Sequence, residues 1–263
     1  MTGLRAIRVG ITGQSGFIGR RLAALLDAEN EVARVPFRDA FFEDGKALAR
    51  FAAECDVIVH LAARNRPTDD RATYETNVRL AEQLIDALEH RSGSVEDGAA
   101  AVPAVIFASS IREGEATAYG RSKLVCRERL EAWAGRSGGR LTTLRIPNVF
   151  GAGAQAFDNS FIATFCVQLL RDEMPVVTEN REVPLLHVDS AGRMLAEKVR
   201  EMVRRKAGIV SCEAVVADFR MRVVEVLSVL SGFAREYRED GRVTVPDDRR
   251  EQILRETFLS YTE

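Results

Sequence analysis

The run Thr12-Gly13-Gln14-Ser15-Gly16-Phe17-Ile18-Gly19 limits what this chain can fold into more than any other. It follows the apolar run Ile7–Ile11, which reads as a strand, and opens into Arg20-Arg21-Leu22-Ala23-Ala24-Leu25-Leu26, which reads as a helix. Three glycines at this spacing, between a strand and a helix, are what a dinucleotide-binding turn requires. Gly13 permits the tight turn, Gly16 lets a pyrophosphate approach the backbone, and Gly19 lets the helix pack against the sheet. The unpaired N–H groups at the helix start, on Phe17 and Ile18 among others, then face the phosphates with the positive end of the helix dipole. A strand-to-helix turn without a ligand is the plainer reading of the same glycines, and their placement weighs against it.

Strand-like and helix-like segments alternate through the first half, the signature of a parallel sheet covered on both faces. Strands are expected at Ile7–Thr12, Glu31–Phe37, Val57–Ala62, Ala104–Ser109 and Leu141–Pro147, and helices at Gly19–Ala28, Gly45–Ala53, Arg71–Glu89 and Gly120–Ala134. Arg91 to Pro103 reads as a surface loop. Beyond Phe150 the pattern predicts a loop over Gly151–Asp158 and helices at Asn159–Arg171, Ser190–Arg205, Met221–Glu236 and Arg249–Glu263. Short strands are expected at Val183–Val188, Ile209–Cys212 and Val243–Val245, with Asp189 capping the helix that starts at Ser190. The expected fold class is therefore α/β: a Rossmann-type doubly wound parallel sheet over residues 1–150, with a smaller C-terminal substrate-binding lobe over 151–263, some of whose segments return to the sheet.

The 263 residues are 46% apolar and carry a formal net charge of −2. That balance gives no footprint for nucleic acid and no acidic tail. Four scattered cysteines, Cys55, Cys126, Cys166 and Cys212, read as free thiols of a reducing compartment, and His60, His90 and His187 do not converge on a metal site. A first strand beginning almost at the N-terminus, and the lack of any membrane-length apolar run, lead to the expectation of a cytoplasmic protein without signal peptide or membrane anchor.

Tyr119-Gly120-Arg121-Ser122-Lys123 is the second strong signal. At a helix start, residues four apart share a face. A cation one turn from a phenol favours the phenolate, and a phenol so tuned delivers or accepts a proton at a substrate oxygen. The basic residues are overwhelmingly Arg, the only lysines being Lys46, Lys123, Lys198 and Lys206, so a Lys at this place calls for a reason. Upstream, Ala108-Ser109-Ser110 ends an apolar strand at the sheet's carboxyl edge, where a hydroxyl can bind the same oxygen. A surface aromatic, a solvated lysine and a strand end are the bland readings of these residues taken singly.

Gly13-x-x-Gly16-x-x-Gly19, His60-Leu61-Ala62-Ala63, Asn77, Ser110, Tyr119-x-x-x-Lys123 and Arg145-Ile146-Pro147-Asn148-Val149-Phe150-Gly151 together resemble the extended short-chain dehydrogenase/reductases, which act mainly on nucleotide-linked sugars. His60 to Pro67, Ser109-Ser110-Ile111, Asn159 to Cys166 and Leu259-Ser260-Tyr261 resemble more closely the reductase domain of bacterial capsular-polysaccharide reductase/epimerases of UDP-N-acetyl-L-fucosamine synthesis. In those enzymes a metal-binding cupin domain follows and performs a separate epimerisation. This chain stops where the cupin would begin, so a single-activity reductase without metal is expected.

The resemblance implies roles residue by residue. Tyr119 would be the general acid at a C4 keto oxygen, Lys123 would hold the nicotinamide ribose, and Ser110 would polarise the carbonyl. Asn77 would support the active-site helix, and Leu61, Ala62, Ala63 and Pro147 would line the cofactor groove. Asn148 and Asn159 would face the substrate's phosphates and sugar. The Ser110-to-Tyr119 connection is shorter than in most extended members. The Arg that commonly contacts the substrate diphosphate is absent, with Val183 in its place and Arg181 as a substitute or a solvated loop residue.

The second strand ends Val35-Pro36-Phe37-Arg38-Asp39. NAD sites place an acid there, whereas a 2′-phosphate calls for Arg. Arg38 therefore favours NADP(H) over NAD(H), the alternative being that Arg38 and Asp39 are loop charges. The leading expectation is NADPH-dependent reduction of a UDP-linked 4-keto-6-deoxy-N-acetylhexosamine for polysaccharide precursor synthesis. A 4-epimerase, a 4,6-dehydratase and a non-catalytic NADP(H)-binding regulator are the rivals. Dehydratases of the family put an acid directly after the active-site hydroxyl residue, where this chain has Ile111 and Arg112. The helix Gly120–Ala134 could pair with a twin in a homodimer.

Overall fold

The computed structural model describes residues 5–65, 69–90, 102–158 and 160–262. The chain divides into two compact units, Met1–Ile146 with Gly192–Val215, and Pro147–Ala191 with Val216–Glu263.

The first unit carries β1 (Ile7–Thr12), α1 (Phe17–Asp27), β2 (Val32–Val35), α2 (Gly45–Glu54), β3 (Val57–His60), α3 (Asp70–Glu89), β4 (Ala104–Ser110), α4 (Ala118–Ser137) and β5 (Leu141–Ile146). Two later elements join it: most of α6 (Val188–Arg204), and β8 (Val210–Ala214). The six strands run in the order β2-β1-β3-β4-β5-β8, every pair parallel. This is the doubly wound parallel sheet that the alternation predicts. The chain leaves β1 outward to β2 and returns past β1 to β3, so the strand order reverses between β1 and β3. Ligands of open α/β sheets bind at such a crevice.

β3 and β4 are buried along their whole length, which is why they read as unbroken apolar runs. The helices begin where short polar side chains can take the first amides: Asp44 for α2, Asp69 for α3 and Thr117 for α4. α4 runs three residues beyond its expected end and stops at Gly138, whose φ of +64° suits a glycine cap.

The second unit has a small sheet ordered β6-β7-β9. β6 (Asn148–Phe150) lies parallel to β7 (Glu182–His187), and β7 lies antiparallel to β9 (Phe219–Arg222). It packs with α5 (Phe161–Leu170), α7 (Val223–Asp240) and α8 (Arg249–Leu259) around Phe150, Phe165, Leu185, Leu230 and Phe258.

Several expectations need correction. Val243–Val245 is not a strand, because its backbone is claimed by side chains: the Val243 carbonyl accepts from Arg255, and the Thr244 amide and hydroxyl donate to Glu236. α6 starts at Val188, so Asp189 sits in its first turn rather than capping it. The short strands β6 and β9, and a turn of 3-10 helix at Asp39–Glu43, were not expected. Residues 91–101 of the expected Arg91–Pro103 loop lie outside the described residues.

One packing constraint is specific to β1. A Cβ on Gly10 would press into the Phe51 ring and lie 2.6 Å from Cys55 Sγ, so α2 rests directly on the strand backbone. Gly10→Val is expected to destabilise the protein by about 1–3 kcal/mol through overpacking, read as a lower urea midpoint at constant m-value. An unchanged midpoint would mean that α2 is free to shift.

Candidate active site

The glycine turn is built backbone against backbone. Gly13 has φ +74°, and a Cβ there would stand 2.7 Å from the Ala62 amide nitrogen, just past the end of β3. The Gly16 amide donates to the Gly13 carbonyl at 3.0 Å. A Cβ on Gly19 would strike that carbonyl and the Gln14 backbone, so α1 can lie on the turn only with glycine there. Gly16 caps α1 without any side-chain acceptor, which leaves the Phe17, Ile18 and Gly19 amides opening the helix uncapped. A cradle that any Cβ would fill, beneath an uncapped helix N-terminus, fits a dinucleotide pyrophosphate.

The crevice is continued by β3. Thr12 Oγ1 and His60 Nδ1 are 2.7 Å apart, and the Ala62 amide donates to Thr12 Oγ1 at 3.4 Å. Leu61 and Ala62 are half-buried there and Ala63 is exposed. Gln14 Nε2 donates to the Phe37 carbonyl at 2.6 Å and so ties the turn to the residue before Arg38. Arg38 is exposed and makes no ion pair or side-chain hydrogen bond among the described residues. Thr12 and Gln14 went unnoticed in the sequence. Their position inside the glycine turn was the available signal, but their partners lie tens of residues away.

Tyr119 and Lys123 lie at the start of α4, and Lys123 reaches across to β4 two residues before Ser110, the last residue of that strand. Lys123 is 3% exposed; its Nζ donates to the Ala108 carbonyl at 2.7 Å and lies 5.0 Å from the Phe107 ring centroid and 5.7 Å from that of Tyr119. Ser110 Oγ accepts from the Arg112 amide at 3.2 Å, which leaves its own proton to donate elsewhere. The neighbouring Ser109 hydroxyl is already committed, donating to Glu113 Oε2 at 2.6 Å.

Asn77 is buried and bonds in two directions. Its Oδ1 accepts from the Arg64 amide at 2.6 Å, and its Nδ2 donates to the Arg64 carbonyl at 3.0 Å and to Ser122 Oγ at 2.9 Å. Ser122 in turn donates to the Tyr119 carbonyl.

The remaining residues belong to the second unit. Pro147 is buried just ahead of β6, and Asn148 on β6 donates to the Pro184 carbonyl at 3.2 Å. Arg181 is an exposed residue 3.5 Å from Glu179, while Val183 is buried in that unit's core. Asn159 lies outside the described residues, as do Arg66 and Pro67. Among the described residues no group of three or more His, Cys, Asp or Glu side chains is placed to hold a metal ion, and no helix is long and apolar enough to cross a membrane.

Comparison with known proteins bears on these residues. Residues 9–203 match the model of the NAD dependent epimerase/dehydratase family, as the motifs had suggested. The chain is 32% identical over 190 residues to the UDP-2-acetamido-2,6-beta-L-arabino-hexul-4-ose reductase of Pseudomonas aeruginosa, which covers 71% of this chain and 48% of that protein. Among solved structures, the capsular polysaccharide assembling protein CapF of Staphylococcus aureus is 28% identical with a TM-score of 0.73, over 96% of this chain and 65% of that one. The Bordetella bronchiseptica enzyme WbmF, solved with NAD+, shares the fold at 17% identity and a TM-score of 0.72, over 99% and 94% of the two chains. The chain thus spans about half the length of the curated relative and under two thirds of CapF.

His60 carries the electrostatic signature of the crevice. It is 1% exposed, stacked on Phe107 at 5.8 Å, and burial, with the Lys123 charge behind it, pushes its pKa down to about 3. It is therefore a neutral partner of Thr12 rather than an acid or base at working pH. Because the folded-state value lies below the unfolded value of 6.5, the unfolded chain takes up a proton below pH 6.5 that the folded protein refuses. Stability then falls with pH from 6.5 towards 3. Between pH 7.5 and 5 the wild type is expected to lose about 2 kcal/mol more than His60→Gln, measured by urea unfolding at both pH values. Parallel losses in the two proteins would show that His60 titrates normally in the fold.

Proposed function

The chain belongs to the NAD dependent epimerase/dehydratase family, and from that premise we propose that it reduces the C4 keto group of a UDP-linked 4-keto-6-deoxy-N-acetylhexosamine with NADPH. The observation that carries the reading is the pair of hydroxyls at the ends of β4 and α4. Ser110 accepts from the Arg112 amide and keeps its proton for a substrate oxygen, and Tyr119 stands one helical turn from the buried Lys123. The name of the Pseudomonas relative, a reductase of a UDP-linked 4-ulose, supports the substrate class.

A bound reduced nicotinamide supplies the hydride to C4. Ser110 donates a hydrogen bond to the keto oxygen, polarising the carbonyl and orienting it. Tyr119 gives its proton to that oxygen as charge develops there, so ketone, hydride and proton together give the alcohol. Lys123 spends one N–H on the Ala108 carbonyl, and the other two would hold the ribose hydroxyls of the cofactor. Gly13, Gly16, Phe17, Ile18, Gly19, Leu61, Ala62 and Ala63 line the cofactor groove, with Asn77 bracing the active-site helix. The first unit is the cofactor part, and the second is the substrate lobe, which supplies Asn148 and Arg181 to the nucleotide sugar. The exposed guanidinium of Arg38, which has no partner among the described residues and follows Phe37, itself tied to Gln14 of the glycine turn, is the receptor for a 2′-phosphate. WbmF was solved with NAD+, and Arg38 is the reason to favour the phosphorylated cofactor in this chain.

Two substitutions test the reading by NADPH oxidation with a panel of UDP-4-ketosugars. Tyr119→Phe is expected to lower turnover by at least about 100-fold with NADPH affinity retained, since it deletes only the acid hydroxyl; turnover within about tenfold of wild type would remove Tyr119 from that role. Arg38→Ala is expected to weaken NADPH by about 10-fold or more, as loss of a charge-assisted partner should, and to leave NADH nearly unchanged. Equal weakening of both cofactors would reassign Arg38 to the loop surface.

A further inference from the structure

The connection from Ser110 to Tyr119 is held by a carboxylate that the reaction itself does not use. Glu113 has a side chain only 6% exposed. Its Oε2 accepts from Ser109 Oγ at 2.6 Å and its Oε1 from Arg127 Nε at 2.6 Å. Arg127 continues to Glu131, with both carboxylate oxygens 3.0 Å from Nη1. Tyr119, Lys123, Arg127 and Glu131 follow one another at four-residue intervals and so form one stripe of α4. Glu113 thus bonds at one end to the residue beside Ser110, and at the other to the stripe that carries Tyr119.

The rest of the loop depends on that clamp. The Glu113 amide donates to the Ser110 carbonyl at 3.0 Å, and the Arg112 amide donates to Ser110 Oγ. The Glu115 amide donates to the Arg112 carbonyl, and the Gly114 amide to the Gly120 carbonyl, both at 3.1 Å. These are backbone bonds of a short turn. The charged, buried bridge from Glu113 to Arg127 ties the loop to α4 two helical turns beyond Tyr119, while Arg121 Nη1 donates to the Ala116 carbonyl nearer the helix start. A carboxylate at such low exposure needs its cation, and removing Arg127 leaves the Glu113 charge buried and unpaired, whereas Arg127 without Glu113 still has Glu131.

We propose that Glu113, through Arg127, is a positioning residue that sets the Ser110 hydroxyl against the Tyr119 hydroxyl so that both reach one carbonyl oxygen. The proposal rests on the reductase reading for its kinetic consequence. Displacing one reacting group by about 1 Å costs on the order of 100-fold in rate. Because Glu113 touches neither the glycine turn nor Arg38, cofactor affinity should be spared.

Two measurements on the full chain test it, with Glu113→Gln and Arg127→Met as variants. Gln keeps one acceptor oxygen for Ser109 and removes both the charge and the acceptor for Arg127 Nε, and its near-equal size makes it the milder change for folding. In NADPH oxidation with the UDP-4-ketosugar that wild type uses best, both variants are expected to lose about 100-fold in kcat. NADPH Kd should stay within about threefold, and Arg127→Lys should recover much of the rate because it restores the charge. In amide hydrogen exchange of the NADPH-bound protein without ketosugar, the Arg112 and Gly114 amides are expected to exchange at least about tenfold faster in Glu113→Gln, while amides of α1 and β1 are unchanged. A kcat within threefold of wild type, a parallel loss of NADPH affinity, or unaltered exchange at Arg112 and Gly114 would each overturn the proposal. If wild type oxidises NADPH with no ketosugar the reductase reading falls, and the exchange measurement still decides whether Glu113 holds the loop.

Discussion

The Gly13 Cα rests against the Ala62 backbone, closer than any side chain would permit, and the carboxyl edge of the first unit is organised around that contact. It brings the turn after β1 against the chain leaving β3, at the point where the strand order reverses. Thr12 then reaches both His60 and the Ala62 amide with one hydroxyl. The same turn sets the start of α1, because Gly19 admits the Gly13 carbonyl where another residue would place a methyl group. The uncapped amides of α1 and the tie between Gln14 and the Phe37 carbonyl sit on this meeting of two strands without side chains between them.

A buried ammonium governs the other half of the site. Lys123 sits between Phe107 and Tyr119 and reaches the Ala108 carbonyl. In a chain that otherwise prefers Arg so strongly, this position suits Lys because a compact ammonium can bond one carbonyl and keep further protons for other groups. Burial keeps His60 neutral, with the Lys123 charge adding to the effect, and Thr12, not an ion, is its partner. Lys123 thus places a fixed positive charge beside the Tyr119 ring, against the apolar Phe107 ring.

Much of the first unit could be read from the sequence because its signals are local. The strand, the three glycines and the helix occupy one continuous run, and Tyr119 and Lys123 share a face simply by being four apart. The parts that escaped reading depend on distant partners. Glu113 looks like one more surface acid until Arg127 and Ser109 are folded around it. Val243-Thr244-Val245 has the composition of a strand, yet Glu236 and Arg255, on helices either side of it in sequence, take its polar groups. β6 and β9 span three and four residues, too few for an alternating pattern to stand out, and Asp189 was misplaced because α6 begins two residues earlier than its first polar residues suggest.

The short connection between Ser110 and Tyr119 has a physical basis in this structure. Two overlapping turns, Ser110 to Glu113 and Arg112 to Glu115, fold it tightly, and Gly114 supplies the φ of +83° that lets its amide turn back to Gly120. Gly120 completes the arrangement, since a Cβ there would stand 2.5 Å from the Arg112 carbonyl and push the loop off α4. The compact loop also separates the roles of two adjacent serines that sequence alone leaves equivalent. Ser109 donates its proton to Glu113, whereas Ser110 receives the Arg112 amide and keeps its proton. The loop that shortens the connection thus also settles which of the two hydroxyls donates to Glu113 and which accepts from the Arg112 amide.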